Sequence, residues 1–250
     1  MAYADNNGVR IHYQVEGNGP PLVLQHGYSD SLESWYDFGY VEKLESERQL
    51  VLIDARGHGA SDKPHDTAEY TRELQASDVV AVLRDLHIPC ADYWGYSMGG
   101  QIGFAMAQSA PDRVRGLIIG GAAGAGLARA GDRLLAALEA RGAEAIPAVW
   151  GVALPTRLHN RLLANDVEAL KACRADSPGF ASIFSTVIKP SLLYAGSADP
   201  SCAAAEAAAA QMPNATFFTV PGLGHAEVML RSELVLPHII SFLSSVGNMT

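Results

Sequence analysis

The sequence has few cysteines, and their spacing matches neither a metal site nor a redox pair. Cys90, Cys173 and Cys202 are the three cysteines among 250 residues, and none belongs to a C-x-x-C motif. Their odd number and wide separation argue against a disulfide framework and favour free thiols in a reducing compartment. A chain of this length can bury enough apolar surface to fold without disulfides or a structural metal.

Positive charge is also scarce. The chain carries 18 Lys and Arg residues against 27 Asp and Glu residues, which gives a formal net charge of −9 at pH 7. Proteins that bind nucleic acid or anionic membranes present basic surfaces to them. The charge balance therefore argues against both kinds of partner.

Long uninterrupted apolar runs are absent as well. No stretch reaches the roughly 18 apolar residues that a membrane-spanning helix requires. The initial segment MAYADNNGVRIHYQVEG lacks the apolar core of a secretory signal peptide. We therefore expect a cytoplasmic protein, either a monomer or a homodimer, without a membrane partner.

Short apolar runs recur along the chain, and helical patterns separate them. Residues 2–5 and 9–17 flank Asn6-Asn7-Gly8, a turn sequence that predicts an antiparallel hairpin. The later runs are apolar throughout, as in strands buried on both faces of a parallel sheet. They cover residues 20–27, 49–57, 90–95, 114–121, 191–199 and 215–222. Helical patterns follow at 69–87, 98–110, 202–212 and 234–246. The alternation predicts an α/β fold with a mostly parallel sheet and helices on both faces.

One region breaks this alternation. Residues 124–185 contain no convincing strand pattern, and their sequence indicates short helices joined by loops. The region is too small to fold as an independent domain. We expect it to be a helical cap, inserted between two strands of a core formed by residues 1–123 and 186–250.

The segment WGYSMGG supplies a candidate nucleophile. It places Ser97 between Gly95 and Gly99, where a strand pattern passes into a helix pattern. In this context G-x-S-x-G forms a tight turn that exposes the serine hydroxyl. The helix that follows directs free N–H groups and its positive dipole end at the site. Ser97 is the predicted nucleophile, and the alternative is a glycine-rich turn that serves packing alone.

A nucleophilic serine needs a general base, and the base needs a carboxylate to orient it. Among eight histidines, His225 lies in a glycine-rich loop directly after a predicted strand, whereas His238 falls within the C-terminal helix pattern. Asp199 follows another strand end, although it has the alternative role of capping the next helix. We predict Ser97, Asp199 and His225 as the catalytic residues.

The chain order serine, aspartate, histidine resembles that of the α/β-hydrolase superfamily. The likeness extends over nearly the whole chain, through His26-Gly27, DARGHGASDKP (54–64), GSADP (196–200) and GLGHAE (222–227). Within the superfamily, the sequence is most similar to serine carboxylesterases and enol-lactonases. The resemblance implies the α/β-hydrolase fold, with a sheet that starts in the antiparallel hairpin.

The resemblance also implies an oxyanion hole. Its donors are the backbone N–H groups of Tyr28, after the His26-Gly27 pair, and of Met98, after the nucleophile. His26 and the loop at 54–64 then have structural roles. His58 in that loop has no second ligand at a metal-binding spacing, so we expect no metal.

The residue at the nucleophile position limits the chemistry. Superfamily members that remove halide or open epoxides carry aspartate there, and Ser97 argues against both reactions. We expect a carboxylesterase that cleaves small to medium esters through an acyl-enzyme. We expect no cofactor, because GGAAGAG (120–126) misses the nucleotide-binding spacing. The alternatives are hydrolysis of a lactone (an enol-lactone in particular), hydrolysis of a carbon–carbon bond by the same triad, a perhydrolase or lyase activity, and a non-catalytic ligand-binding module.

Aromatic residues near these motifs are candidates for the substrate pocket. We select Trp35, Trp150 and Phe184, for each of which core packing is the alternative. The insertion has few basic residues suited to a dianionic substrate, which favours an apolar ester. Four arginines leave an anionic substrate open: Arg129, Arg133, Arg157 and Arg161.

Overall fold

An eight-stranded sheet organises the part of the chain that the structure describes. The computed structural model describes residues 1–128, 130–151, 153–174 and 176–247. The strands are β1 (Ala2–Asn6), β2 (Val9–Glu16), β3 (Pro21–Gln25), β4 (Gln49–Ile53), β5 (Ala91–Tyr96), β6 (Val114–Gly120), β7 (Ser191–Gly196) and β8 (Ala215–Val220). They are ordered β1-β2-β4-β3-β5-β6-β7-β8 across the sheet. The hairpin β1–β2 and the pair β2–β4 are antiparallel, and all other pairs are parallel.

Helices cover both faces of this sheet. The helices are α1 (Glu33–Asp37), α2 (Tyr40–Leu44), α3 (Arg72–Asp85), α4 (Met98–Ser109), α5 (Arg133–Arg141), α6 (Ala145–Trp150), α7 (Thr156–Leu163), α8 (Val167–Cys173), α9 (Cys202–Gln211), α10 (His225–Met229) and α11 (Ser232–Gly247). The predicted α/β architecture is confirmed, including the antiparallel start. Within the described ranges, no helix combines the length and hydropathy needed to cross a bilayer.

The first turn of the sheet follows from its sequence. Asn7 and Gly8 both have positive φ, of 56° and 89°, and they join β1 to β2. Asparagine and glycine tolerate this left-handed conformation better than other residues, and its twist matches that of the flanking strands. The Asn-Gly pair therefore sets the register of the hairpin.

The core consists of two apolar layers separated by the sheet. Alternate residues of β3 point to opposite layers: Val23 packs in the layer with α3 and α4, and Leu24 packs in the layer with α1, α2 and α11. Because helices cover both faces of the sheet, side chains on both sides of each central strand must be apolar. This explains the continuous apolar runs in the sequence. In the second layer Trp35 contacts Trp94 edge to face, with ring centroids 5.1 Å apart.

The chain between β6 and β7 forms α5, α6, α7 and α8. These helices bury a cluster of their own, made of Leu138, Ala145, Ile146, Leu158, Leu162 and Leu170, against which Tyr28 and Phe38 of the core also pack. The helical character of the insertion agrees with its sequence, and its limits at residues 124 and 185 stay a prediction. The short helices α1, α2, α6 and α10 are not predicted from the sequence, because five or six residues are too few to show a helical period.

Candidate active site

Ser97 lies in a sharp turn between β5 and α4. Its backbone has φ 54° and ψ −110°, a conformation that side chains rarely adopt. The hydrogen bond from Ser97 N–H to the Gly120 carbonyl, at 2.7 Å, holds the turn against β6. A Cβ atom on Gly95 would lie 2.1 Å from the Gly99 carbonyl oxygen, and one on Gly99 would lie 2.2 Å from that of Gln25. Glycine is therefore required at both flanking positions.

The structure brings Ser97, Asp199 and His225 together, although they come from distant parts of the sequence. The His225 Nε2 atom lies 2.9 Å from Ser97 Oγ, and its Nδ1 atom lies 2.6 Å from Asp199 Oδ2. His225 is the first residue of the short helix α10 rather than a loop residue. Asp199 follows β7 and Ser97 follows β5, so all three approach the carboxyl edge of the sheet.

Hydrogen bonds keep the Asp199 carboxyl group ionised. Burial opposes its charge, but hydrogen bonds from His225 and Ser201 outweigh that effect and hold the pKa of Asp199 below its ordinary value. An ionised carboxylate can only accept hydrogen bonds, so the proton of the neutral imidazole lies on Nδ1. Nε2 is then free to accept the Ser97 hydroxyl proton. The second oxygen, Oδ1, accepts from the Ser201 N–H at 2.8 Å in the turn before α9. Ser201 is the N-cap residue of α9 and no side chain caps it, so Asp199 does not have the capping role considered as its alternative.

A further contact at the site is not apparent from the motif alone. The Tyr96 hydroxyl donates to the His225 carbonyl oxygen at 2.5 Å, and the two rings lie 5.5 Å apart. Tyr96 occupies the variable position before the serine in G-x-S-x-G. The motif gives no indication that this residue supports the base rather than the nucleophile.

The loop after β3 runs beside the serine. A Cβ atom on Gly27 would lie 3.4 Å from Ser97 Cβ, which places the loop in van der Waals contact with the nucleophile. Tyr28 lines the same cavity as Ser97. Met98 begins α4, and the first N–H groups of a helix have no acceptor within it. The roles of Tyr28 and Met98 as oxyanion donors stay predictions.

Buried histidines fix the start of this loop. His26 Nδ1 donates to the Gly27 carbonyl at 2.7 Å, and its Nε2 accepts from the Ala55 N–H at 3.0 Å. The His58 ring lies 5.4 Å from that of His26 and 5.8 Å from that of Tyr28. Among the residues that the structure describes, no three His, Cys, Asp or Glu side chains converge as metal ligands would.

Acid is expected to destabilise the fold through His58. Burial, together with the neighbouring His26, lowers the pKa of His58 from 6.5 to about 3. Below pH 6.5 the unfolded chain gains a proton at His58 that the folded protein does not, and the resulting stability loss continues down to about pH 3. One such group changes the free energy of unfolding by about 1.4 kcal/mol per pH unit. We would measure the free energy of unfolding in urea at several pH values between pH 6 and pH 4. Its fall with decreasing pH should be smaller in His58→Gln than in the wild type by about that amount per pH unit. Equal slopes in both proteins would contradict this account.

A cavity of about 530 Å³ opens beside Ser97 and His225. Its other lining residues are Gly27, Tyr28, Ser29, Asp30, Tyr96, Leu134, Ile146, Trp150, Gly151, Arg174, Pro200, Gly224, Ala226, Glu227 and Met229. The insertion supplies Leu134, Ile146, Trp150, Gly151 and Arg174 to this wall. Trp150 is therefore the member of the predicted aromatic set that lies at the cavity.

The structure places Trp35 and Phe184 away from this cavity, which corrects both pocket assignments. Trp35 of α1 is fully buried between this helix and the sheet, against Tyr40 and Trp94. Phe184 is buried on the other layer, with its ring 5.3 Å from that of Phe104. Core packing accounts for both side chains. The Tyr28 hydroxyl also turns from the cavity and donates to the Leu170 carbonyl oxygen at 2.8 Å.

Arginines of the insertion differ in their access to the cavity. Arg157 and Arg161 form ion pairs with carboxylates of the core, and Arg133 is exposed. Arg129 lies outside the described residues. Arg174, which sequence reasoning missed, lines the cavity with its guanidinium group 5.3 Å from the Tyr28 ring centroid. Its charge is paired, since Nε donates to Asp132 Oδ2 at 2.5 Å.

Comparisons with known proteins agree with this architecture. The sequence model of a family described as the alpha/beta hydrolase fold matches residues 20–140. A 2-hydroxymuconate semialdehyde hydrolase from Pseudomonas sp. (strain CF600) is 36% identical over 118 residues, 47% of this chain and 41% of that protein. The aligned stretch covers less than half the length of the curated relatives that match first.

Solved structures resemble the chain over nearly its full length. An enol-lactonase from Burkholderia xenovorans LB400 superimposes with a TM-score of 0.88 at 23% identity, covering 97% of this chain and 100% of that one. The esterase RhEst1 from Rhodococcus sp. ECU1013 gives a TM-score of 0.85 at 23% identity, covering 98% of both chains. At this level of identity the likeness establishes the fold and leaves the substrate open.

Proposed function

Because the chain belongs to the α/β-hydrolase superfamily, we propose that it is a serine hydrolase of small to medium carboxylic esters. The observation that carries the proposal is the hydrogen-bonded row Ser97–His225–Asp199, which opens into the cavity. No other group is needed to activate the serine. The neutral imidazole accepts its proton, and the buried carboxylate stabilises the imidazolium that forms.

In the proposed mechanism, Ser97 Oγ attacks the ester carbonyl while His225 Nε2 takes the hydroxyl proton. The negative charge that develops on the carbonyl oxygen is stabilised by the backbone N–H groups of Tyr28 and Met98. Collapse of this intermediate expels the alcohol, which receives the proton from His225, and leaves an acyl-enzyme. A water molecule activated by His225 then attacks the acyl group, and the acid departs as Ser97 regains its proton.

The cavity favours an uncharged substrate. Its volume of about 530 Å³ lies within the range usual for small-molecule sites. Apolar side chains of the insertion and of α10 form much of the wall, and the carboxylates of Asp30 and Glu227 also face it. A substrate that carries its own carboxylate would have to compete with Asp132 for the Arg174 guanidinium group and would lie near the Glu227 carboxylate.

We also propose that residues 124–185 act as a cap on the core formed by residues 1–123 and 186–250. Leu134, Ile146 and Trp150 of this segment line the cavity that holds Ser97. The acyl or alcohol group of a bound ester would contact them. The cap would therefore limit the length of chain that the enzyme accepts.

A series of p-nitrophenyl esters from acetate to palmitate tests this proposal. We expect a maximum of kcat/KM at a short or medium acyl chain, because Leu134, Ile146 and Trp150 form a wall of the cavity that an extended palmitoyl chain would have to pass. Trp150→Ala should shift the maximum towards longer chains by enlarging the wall. A maximum at palmitate in the wild-type protein would contradict the proposed substrate size.

Enol-lactone hydrolysis is the second candidate, because a Burkholderia protein described as an enol-lactonase shares the fold over 97% of this chain. A lactone is a cyclic ester, so the same acyl-enzyme forms and the alcohol stays attached to the acyl group. The ester series separates the two candidates when it is combined with a fluorophosphonate that labels active serines. Labelling of Ser97 without turnover of any aryl ester would direct the next assays to lactones and to diketones, the substrates of carbon–carbon hydrolysis by the same triad.

A further inference from the structure

The segment from Gly27 to Ser34 carries the predicted oxyanion donor Tyr28 in a conformation that its own sequence does not favour. Ser29 has φ 62°, in the left-handed region that residues other than glycine seldom occupy. It is buried, and it lines the cavity next to Tyr28. A serine in this conformation persists when surrounding contacts hold it in place.

The insertion provides such a contact through Asn165. The side-chain amide of Asn165 donates to the Ser29 carbonyl oxygen at 2.8 Å. The same amide donates to the Leu162 carbonyl at 3.0 Å, in the last turn of α7. The strained residue is thus tied directly to the end of a helix of the insertion.

Tyr28 and Arg161 also join the insertion to the same segment. The Tyr28 hydroxyl donates to the Leu170 carbonyl oxygen of α8 at 2.8 Å. Arg161 of α7 donates to Ser34 Oγ at 2.6 Å and lies 3.4 Å from Asp30 Oδ1. The Asp30 carboxylate is buried and accepts the Ser31 N–H at 2.8 Å, so Arg161 supplies the positive charge beside it.

We propose that the insertion sets the position of the Tyr28 N–H group, with Asn165 and Arg161 as positioning residues for acyl transfer. The proposal rests on the serine-hydrolase function proposed above. An oxyanion donor is effective within about 2.7–3.1 Å of the developing charge. A displacement of about 1 Å is enough to cost on the order of 10²-fold in rate. The insertion then acts on the chemical step as well as on the shape of the cavity.

The variant Asn165→Ala tests the proposal most directly. It removes the donor to Ser29 without placing a new group in the cavity. We expect kcat for a p-nitrophenyl ester to fall by about 10- to 100-fold while KM changes by less than about threefold, because the lost interaction acts in the transition state. Asn160→Ala is the matched control, since Asn160 is an exposed asparagine of α7, and it should keep the wild-type kcat.

Inhibitors distinguish a positioning role from a general loosening of the structure. A trifluoromethyl ketone adds to the serine and forms an oxyanion, so its Ki should rise in Asn165→Ala by the same factor as kcat/KM falls. An amide analogue of the ester that binds without addition should keep its wild-type Ki. Equal weakening of both inhibitors, or a change confined to KM, would overturn the positioning role.

A second pair of variants tests the proposal independently, in case Asn165→Ala does not fold. Arg161→Lys keeps a positive charge beside Asp30 but loses the fork that reaches Ser34 and Asp37 together. It should reproduce the fall in kcat. Arg157→Lys is its control, because Arg157 is exposed and its ion pairs, with Glu33 and Asp37, do not include the buried Asp30. Equal activity of Arg161→Lys and Arg157→Lys would count against the proposal.

The rate of labelling by a fluorophosphonate separates failure of this inference from failure of the proposed function. Its phosphoryl oxygen requires the same donors, so Asn165→Ala should be labelled more slowly than wild type by about the factor lost in kcat. Labelling at the wild-type rate would overturn the inference alone. If the wild-type protein is not labelled at Ser97, the proposed function fails and the inference fails with it.

Discussion

Replacement of Ser97 by alanine is expected to lower kcat by about 10⁶-fold, the size of effect seen when a well-studied serine protease loses its nucleophile. Alanine retains the Cβ atom, so the backbone at φ 54° keeps the same strain and the turn between β5 and α4 is preserved. The change removes only the hydroxyl group and its 2.9 Å hydrogen bond to His225. Loss of activity without loss of stability is therefore the expected result.

Kinetics and thermal unfolding together check this prediction. Ser109→Ala is a suitable control, because Ser109 is an exposed serine at the end of α4. It should keep the wild-type kcat and the wild-type labelling by a fluorophosphonate, whereas Ser97→Ala should lose both. More than about 1% residual activity in Ser97→Ala would exclude Ser97 as the nucleophile, given the 10⁶-fold loss expected of one.

Glycine at the same position supplies an independent test of the backbone strain. Glycine adopts positive φ without the steric cost that a Cβ atom brings. Ser97→Gly should be as inactive as Ser97→Ala but should unfold at a higher temperature. Equal unfolding temperatures for Ser97→Gly and Ser97→Ala would mean that the turn stores no strain.

Local sequence was sufficient to predict which residues meet at the candidate site. Ser97, Asp199 and His225 each follow a predicted strand, and the carboxyl ends of parallel strands lie at one edge of a sheet. Topology therefore converts three separate strand ends into one site. The hydrogen bonds of 2.6 and 2.9 Å in the structure agree with that argument, and the catalytic roles await measurement.

The walls of the cavity were less predictable, because they depend on how a helix is rotated over the sheet. Trp35 lies in α1, which has five residues and so no readable apolar period. Its ring lies in the core and contacts Trp94 of β5, which is distant in the sequence. Trp150 had no stronger sequence signal, yet it lines the cavity.

Ion pairs between distant segments were equally inaccessible to sequence reasoning. Arg174 and Asp132 are 42 residues apart, and no spacing rule connects them. The same holds for Arg161 and Ser34, which join the insertion to the oxyanion loop. Contacts of this kind depend on how the insertion docks on the core, and the sequence offers no periodic pattern that reports it.

Asp199→Asn is expected to lower kcat by about 10⁴-fold, as in the best-studied triad, because it would favour the wrong tautomer of the His225 imidazole. The backbone N–H of Ser201 donates to Oδ1 at 2.8 Å, and a backbone N–H cannot accept. In the variant, the amide oxygen must therefore stay at the Oδ1 position, and the amide NH₂ group must face His225. It would then donate to Nδ1 and move the imidazole proton to Nε2, which could no longer accept the Ser97 proton.

Two measurements check this mechanism. The low-field proton resonance of an imidazole N–H bonded to a carboxylate should be present in the wild type and absent in Asp199→Asn. Ser201→Ala leaves the backbone N–H and the tautomer intact and removes one hydroxyl hydrogen bond to the Asp199 carboxylate. It should therefore lose at most about 100-fold in kcat, far less than Asp199→Asn. A loss of 10⁴-fold in Glu227→Gln, with Asp199→Asn active, would transfer the orienting role to the other carboxylate near His225. Since Glu227 Oε2 accepts the Gly224 N–H at 2.6 Å, its geometry instead indicates that it holds the start of α10.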